Sequence, residues 1–147
     1  MLSIFDWFGY RLAAQERYRL IKSAGFSSVM MLWGQQKGRG PDYRDAPGIA
    51  RAAGLSVENI HAPTIGQHDL WQDALPGEDV AACYLQCVDD CHDLDIPTLV
   101  LHLPGDDYPP TAVGLERLRR IVGRAEQMGV DVALENLQNT GNIAFAF

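Results

Sequence analysis

A short pattern that recurs along the chain constrains its fold more than any other feature. A glycine follows a helix-like segment and precedes an apolar residue in Ala24-Gly25-Phe26-Ser27, Ala53-Gly54-Leu55-Ser56 and Met128-Gly129-Val130-Asp131. Glycine readily adopts the left-handed conformation that ends a helix, and the apolar residue then begins a buried strand. The repeat therefore predicts units in which each helix leads directly into a strand.

Apolar runs and helical spacing extend this pattern along the whole chain. Strands are predicted at residues 2–8, 27–33, 56–61, 98–102 and 130–135. Helices are predicted at residues 11–24 and near 43–53, and as apolar stripes within 80–94 and 115–128; residues 34–41 are predicted to form a loop. The sequence thus alternates between strand and helix throughout.

This alternation implies a parallel sheet covered by helices, either a closed (β/α)8 TIM barrel or an open doubly wound sheet. An open sheet usually carries a phosphate-binding glycine loop, but the segments Phe8-Gly9-Tyr10 and Trp33-Gly34-Gln35 match no such motif. The α/β barrel is favoured. Because a barrel needs about 250 residues, residues 1–147 are expected to form a single domain with about the first five βα units of a C-terminally truncated barrel.

Three predicted strands end on a potential metal ligand or proton-transfer group, namely His61, His102 and Glu135. The carboxyl ends of parallel barrel strands converge on one rim, so these side chains are expected to meet there. A carboxylate at the end of a buried strand costs several kcal/mol unless a cation or donors receive it. Glu135 is therefore the strongest candidate, and each histidine could instead be a polar group closing a strand.

Two tryptophans, Trp7 and Trp33, lie near the ends of the first two predicted strands. They could form an apolar wall against a sugar ring, or they could fill the core. The cysteines Cys83, Cys87 and Cys91 recur every four residues, which predicts reduced thiols along one side of a helix. Their spacing coincides with the apolar stripe, so core packing is favoured over an iron-sulfur or zinc site.

Charge and hydropathy exclude several classes of partner. The formal net charge of -7 is spread along the chain, which disfavours nucleic acid. The apolar first eight residues lack a basic region and a cleavage site, and no apolar run approaches the roughly 20 residues that span a bilayer. A cytoplasmic protein with no membrane partner is expected.

At these residues the sequence resembles the xylose-isomerase-like TIM-barrel superfamily, which contains sugar and sugar-phosphate isomerases and epimerases, inosose dehydratases, hydroxypyruvate isomerases and endonuclease IV. The resemblance covers essentially the whole chain and rests on His-Ala-Pro at 61–63, the histidine at 102 and Ala-Leu-Glu-Asn at 133–136. It implies that Glu135 binds a divalent metal and moves a proton. It also implies that His61 and His102 line the substrate pocket or approach the metal.

Two departures from the family pattern accompany this resemblance. Leu-Pro-Gly follows His102, where many relatives have a more compact histidine-glycine turn. The family's other metal ligands and its second catalytic glutamate lie on strands six to eight, which have no counterpart here.

The function expected from these features is that of a metal-dependent isomerase or epimerase, or a related lyase. Its substrate would be a small sugar, sugar phosphate or hydroxy-carbonyl compound that reacts through an enediolate, and its metal would be Mn, Mg, Co or Zn. A homo-oligomer is compatible with the sequence. The alternatives are an endonuclease-IV-like DNA repair nuclease and a non-catalytic fragment or half-barrel that acts by association.

Overall fold

In a computed structural model, which describes residues 2–34, 41–105 and 107–135, five strands alternate with helices. The strands are β1 (Ser3–Phe5), β2 (Ser28–Leu32), β3 (Ser56–His61), β4 (Thr98–His102) and β5 (Asp131–Glu135). The α-helices are α1 (Ala14–Ser23), α2 (Ala46–Ala52), α3 (Leu75–Asp93) and α4 (Ala112–Met128). Two 3-10 helices, Pro41–Asp45 and Gln67–Trp71, precede α2 and α3.

The strands form one sheet in which each strand pairs in parallel with the next along the chain, in the order β1-β2-β3-β4-β5. A doubly wound sheet reverses direction at a switch point, whereas a TIM barrel adds strands in unbroken sequence order. The fold is therefore part of a (β/α)8 barrel, as the sequence predicted.

The three glycines of the repeat adopt the conformation predicted for them. Gly25, Gly54 and Gly129 have φ angles of +92°, +82° and +67°, values that side chains disfavour and glycine accepts. Each follows the end of a helix, and a strand begins two or three residues after it. The repeat thus marks the joints between a helix and the following strand.

The first strand is shorter than the predicted residues 2–8. After Phe5, the backbone N–H of Asp6 still donates to the carbonyl of Met30 (2.9 Å), and the chain then turns away through Gly9 at φ +91°. The Asp6 carboxylate is fully buried and accepts a hydrogen bond from the hydroxyl of Tyr18 on α1 (2.9 Å). This hydrogen bond joins the segment after β1 to α1.

Alternation along the strands divides the side chains between two faces. One set is buried against the helices: Val29, Met31, Ile60, Leu99 and Leu101. The other set faces the concave side of the sheet and lines a cavity there: Met30, Leu32, Asn59, His61, Val100 and His102. The core therefore lies between sheet and helices, and the candidate residues lie on the opposite face.

The cysteines follow the predicted helix but do not share one environment. Cys87 and Cys91 are buried in the core, as predicted, whereas Cys83 is exposed. Four residues turn an α-helix by about 400°, so each step of four shifts a side chain by about 40° around the axis. That drift brings Cys83 to the surface. Among the described residues, no helix is both long enough and apolar enough to span a membrane.

Candidate metal centre at the strand ends

The side chains of His61, His102 and Glu135 meet at the carboxyl ends of β3, β4 and β5. Parallel pairing sets His102 beside Glu135 and His61 beside Val100, so all three residues project from the same end of the sheet. They border a cavity of about 550 Å³ that Phe5, Met30, Leu32, Asn59, Thr64 and Val100 also line. The sequence prediction that these three residues converge agrees with this geometry.

Three ligand atoms form a nearly equilateral triangle. The Nε2 atoms of His61 and His102 lie 3.0 Å apart. Oε2 of Glu135 lies 3.3 Å from Nε2 of His61 and 3.2 Å from Nε2 of His102. The imidazole rings meet edge to face, with centroids 4.5 Å apart and an interplanar angle of 85°. This arrangement directs one nitrogen of each ring and one carboxylate oxygen toward a common point.

The tautomer of His61 follows from its backbone contact. Its Nδ1–H donates to the carbonyl of Ala62 (2.8 Å), because a carbonyl oxygen can only accept. In the neutral ring, Nε2 then carries a free lone pair, which is the form that binds metals. Burial, and next the neighbouring His61, lower the pKa of His102, and the hydrogen bond to Glu135 opposes them in part. Both effects favour a neutral imidazole at His102.

The donor set fits a divalent cation. Because the proton of His61 lies on Nδ1, only the ring of His102 can place a hydrogen between the three ligand atoms. At most one proton therefore lies among three atoms that carry lone pairs. Two ligands about 2.1 Å from a metal lie about 3.0 Å apart in octahedral and about 3.4 Å apart in tetrahedral coordination. The separations of 3.0, 3.2 and 3.3 Å fall in this interval. Two histidines and one carboxylate are a known metal-binding set with open positions.

The two tryptophans are not among the residues that line this cavity. Trp33 is 1% exposed, and its Nε1–H donates to Oδ2 of Asp90 (2.7 Å) while its ring meets Tyr43 edge-on. Trp7 is partly buried, and the guanidinium carbon of Arg17 lies 5.8 Å from its ring centroid. These contacts of Trp33 fit a role in the core, which is one of the two roles that the sequence left open for it.

Sequence reasoning missed several residues of the cavity. Asn59 lies two residues before His61 on β3, and Thr64 follows β3 closely. The period of two along a strand would have identified Asn59, since residues i and i+2 share a face. Thr64 and Phe5 gave no such signal, because their positions depend on how the chain leaves each strand.

The loops that follow β3 and β4 contact each other through His68, Gly105 and Tyr108. The ring of His68 stacks on Tyr108, with centroids 4.2 Å apart and an interplanar angle of 11°. The backbone N–H of Gly105 donates to Nδ1 of His68 (3.2 Å). These contacts join the loops beyond the two strands that carry His61 and His102, and so restrain the rim.

Consecutive parallel βα units with polar groups at the carboxyl ends of the strands define the class of TIM-barrel proteins. Within that class, the family model described as xylose isomerase-like TIM barrel matches residues 18–145. The chain belongs to this family. No curated protein sequence matches the chain significantly.

Solved structures with the same fold include several sugar epimerases. A D-psicose 3-epimerase with D-tagatose, from Clostridium cellulolyticum H10, has 17% identity and a TM-score of 0.68 over 92% of this chain and 52% of its own. A D-tagatose 3-epimerase-like protein has 14% identity and a TM-score of 0.71 over 95% of this chain and 54% of its own.

A third similar structure is a xylose isomerase-like TIM barrel protein from Mycobacterium smegmatis in complex with magnesium. It has 14% identity and a TM-score of 0.69, over 99% of this chain and 59% of its own. The chain therefore spans between half and three fifths of the length of these structures. At these identities the likeness establishes the fold.

Proposed function

We propose that this chain carries part of the active site of a divalent-metal-dependent isomerase or epimerase, or a related lyase, that acts on a small sugar, sugar phosphate or hydroxy-carbonyl compound. The observation that carries the proposal is the triangle of His61, His102 and Glu135 at the strand ends. The presence of sugar epimerases among the structures of similar fold supports the substrate class.

In this proposal, His61, His102 and Glu135 hold the metal, which is Mn, Mg, Co or Zn. A magnesium complex among the similar structures supports a hard divalent ion. When bound, the ion would stabilise negative charge that develops on the substrate's oxygen atoms. The Ala62 carbonyl fixes the ring of His61, so the protein itself sets the orientation of one ligand.

Glu135 is the proposed proton carrier. Its side chain is 48% exposed and its carboxylate faces the cavity, so a substrate C–H can reach it. Removal of a proton next to a carbonyl leaves an enediolate, and return of the proton to the other face or carbon completes epimerisation or isomerisation. Phe5, Met30, Leu32 and Val100 line the cavity and would exclude water from the reacting carbon, while Asn59 and Thr64 would bind hydroxyl groups.

Several further expectations from the sequence belong to this proposal. Residues 1–147 are proposed to form one domain, the N-terminal part of a longer barrel whose further strands supply the remaining ligands. A small carbohydrate is the proposed partner of a cytoplasmic enzyme, with neither nucleic acid nor membrane, and a homo-oligomer is compatible. Substrate binding by Trp7 and Trp33 stays a prediction, and the contacts of Trp33 with Asp90 and Tyr43 favour the core.

Calorimetric titration with Mn²⁺ tests the metal site directly. We expect the 147-residue chain to bind the ion, and Glu135→Gln to weaken binding by at least about tenfold, since it removes the one formal negative charge from the ligand set. Glu116→Gln is the matched control, because Glu116 is 65% exposed on α4 and pairs with the exposed Arg119. Equal affinity in the wild type and Glu135→Gln, or no specific binding in either, would contradict the proposal.

An endonuclease-IV-like repair nuclease is the alternative function, because the family resemblance implies that such an enzyme has histidines at the positions of His61 and His102. Such an enzyme needs a positive track for phosphates, and the chain has 19 acidic against 12 basic residues. Binding to abasic DNA at low salt would favour this alternative, and its absence would reject it.

A further inference from the structure

A second cavity, of about 300 Å³, lies between the beginning of α1 and the segment that leads into α2. Ala14, Gln15 and Arg17 of α1 line it, together with Asp42 and Asp45 of the 3-10 helix that precedes α2. It shares no lining residue with the strand-end cavity. The proposed sugar chemistry therefore does not use it.

Arg17 brings a buried positive charge to this second cavity. The residue is 6% exposed, its Nη2 donates to the carbonyl of Leu12 (3.3 Å), and its guanidinium carbon lies 5.8 Å from the ring centroid of Trp7. Among the residues that the structure describes, Nε and Nη1 have no hydrogen-bond acceptor, and the guanidinium pairs with no carboxylate. A buried charge without a counter-ion is costly, which indicates a ligand that supplies the negative charge.

The first turn of α1 presents backbone donors at the same place. Ala13 occupies the N-cap and has no side-chain oxygen, and no side-chain hydrogen bond caps the helix. The backbone N–H of Arg17 donates to the carbonyl of Ala13 (2.9 Å), so the N–H groups of Ala14, Gln15 and Glu16 precede the first helical hydrogen bond. Such groups, together with the partial positive charge of a helix N-terminus, stabilise an anion.

Acidic side chains around this cavity limit the charge of the anion that can bind. Asp42 and Asp45 line the cavity and Glu16 lies in the first turn of α1, and all three are exposed. Their carboxylates repel a doubly charged phosphate more strongly than a singly charged carboxylate. A carboxylate oxygen is also a strong acceptor for a guanidinium N–H.

We propose that this second cavity is a binding site for a small monocarboxylate, held by the guanidinium of Arg17 and by the backbone N–H groups at the start of α1. The ligand supplies the negative charge that Arg17 lacks. A volume of about 300 Å³ suits a small molecule. Binding here is independent of the metal that His61, His102 and Glu135 are proposed to hold.

Titration with sodium acetate, followed by nuclear magnetic resonance of the full chain, tests this site. We expect saturable shifts of the backbone N–H signals of Ala14, Gln15 and Glu16 and of the Nε–H signal of Arg17, and none with sodium chloride at equal ionic strength. Phosphate at about pH 8, where it is mostly a dianion, should bind more weakly than acetate. Shifts that are absent, or that chloride reproduces, would overturn the proposal.

Arg17→Gln tests the guanidinium, and we expect it to weaken acetate binding by at least about tenfold, since it removes the charge from the strongest donor. Arg19→Gln is the matched control, because Arg19 is exposed on the same helix and does not line the cavity. Acetate affinity should be unchanged in Arg19→Gln. Equal affinity in the wild type and Arg17→Gln would overturn the proposal.

A second variant decides even if Arg17→Gln fails to fold. Asp42→Asn combined with Asp45→Asn changes two exposed side chains and removes repulsion from the cavity. We expect it to bind acetate about twofold or more tightly than the wild type, and to gain more affinity for phosphate than for acetate. Unchanged affinity for both anions would overturn the proposal.

Discussion

The imidazoles of His61 and His102 share one short contact between nitrogen atoms, and this contact bears on the charge of His102. Two imidazolium ions with Nε2 atoms 3.0 Å apart would repel each other. Burial is the larger cause, and together with the neighbouring His61 it lowers the pKa of His102. His102 is therefore favoured in the neutral form that can ligate a metal.

The lowered pKa of His102 has a consequence for stability. As pH falls below about 6.5, the unfolded chain takes up a proton on this residue before the folded chain does, so the folded state loses stability as pH falls toward the folded pKa. Above about pH 6.5 both states are neutral and the effect vanishes. We expect the urea midpoint to fall between about pH 7.5 and pH 5.5, and to fall less in His102→Gln.

His92→Gln is the control for this pH experiment. His92 is exposed and its Nδ1 lies 3.0 Å from the carbonyl of Met128, so the variant should keep the pH dependence of the wild type. An identical loss of stability in His102→Gln and wild type would contradict the assignment of this effect to His102.

At the residue scale, the sequence was sufficient where a local rule fixes a side chain's direction. His61, His102 and Glu135 are the last residues of parallel strands, so their position at the same end of the sheet could be predicted. The direction of Trp33 could not, because the group that holds it, Asp90, lies 57 residues further along the chain. Cys83 shows the same limit on a helix, because residues that are four apart drift around the helix axis and do not stay on one face.

Among the elements, α4 acts as the anchor of the segment between β3 and α3. Arg117 on α4 is 2% exposed and donates to the carbonyls of Leu70 (2.9 Å) and Gln72, and its Nε donates to Glu78 (2.9 Å). Hydrogen bonds from Arg117, and next from Arg120 on the same helix, lower the pKa of Glu78. The 3-10 helix Gln67–Trp71 is thus held by a residue far away in sequence, so local sequence patterns could not predict it.

The packing of α4 on this segment yields a prediction from two glycines of the same helix. A Cβ at Gly114 would lie 2.0 Å from Cε3 of Trp71 and 2.9 Å from its Cα, whereas a Cβ at Gly123 would meet nothing within 4 Å. Gly114→Ala should therefore destabilise the protein by about 1–3 kcal/mol through overpacking. Gly123→Ala should stabilise it by about 0.5–1 kcal/mol, since alanine favours a helix interior.

Chemical denaturation of both glycine variants measures these changes on the same helix. The two substitutions add the same methyl group, so a difference in sign isolates the contact with Trp71 from helix propensity. Stabilisation by Gly114→Ala would show that α4 and the Gln67–Trp71 helix are less tightly packed than the structure indicates.

The fold class of the whole molecule was predictable because it depends on local signals that recur along the chain, namely glycines that end helices and apolar runs that form strands. The closure of a barrel depends on strands that are far apart in sequence, so local signals do not predict it. Within the described residues, the sheet runs from β1 to β5 with these two strands at its edges, and alternate residues of β5, Asp131, Ala133 and Glu135, are exposed. In the part of the chain that the structure describes, each edge strand presents backbone groups without a strand partner, and such edges tend to pair with another chain.

A groove beside β5 adds apolar surface to this edge. It is lined by Val122, Ala125, Val130, Val132 and Leu134 together with Glu126 and Asp131. We expect the 147-residue chain to self-associate in a concentration-dependent manner, because a second copy can cover both the strand edge and the apolar groove. Sedimentation velocity across a range of concentrations measures this directly.

Leu134→Asp should weaken the association, since it introduces a charge into the groove that would have to be desolvated on contact. Leu20→Asp is the matched control, because Leu20 is 51% exposed on α1 and lies outside the groove. Equal weakening by both substitutions would point to a general effect of charge instead of a defined surface. A monomer at every concentration would mean that the five-stranded sheet is stable with its edges uncovered, and would contradict the view that the half-barrel needs a partner.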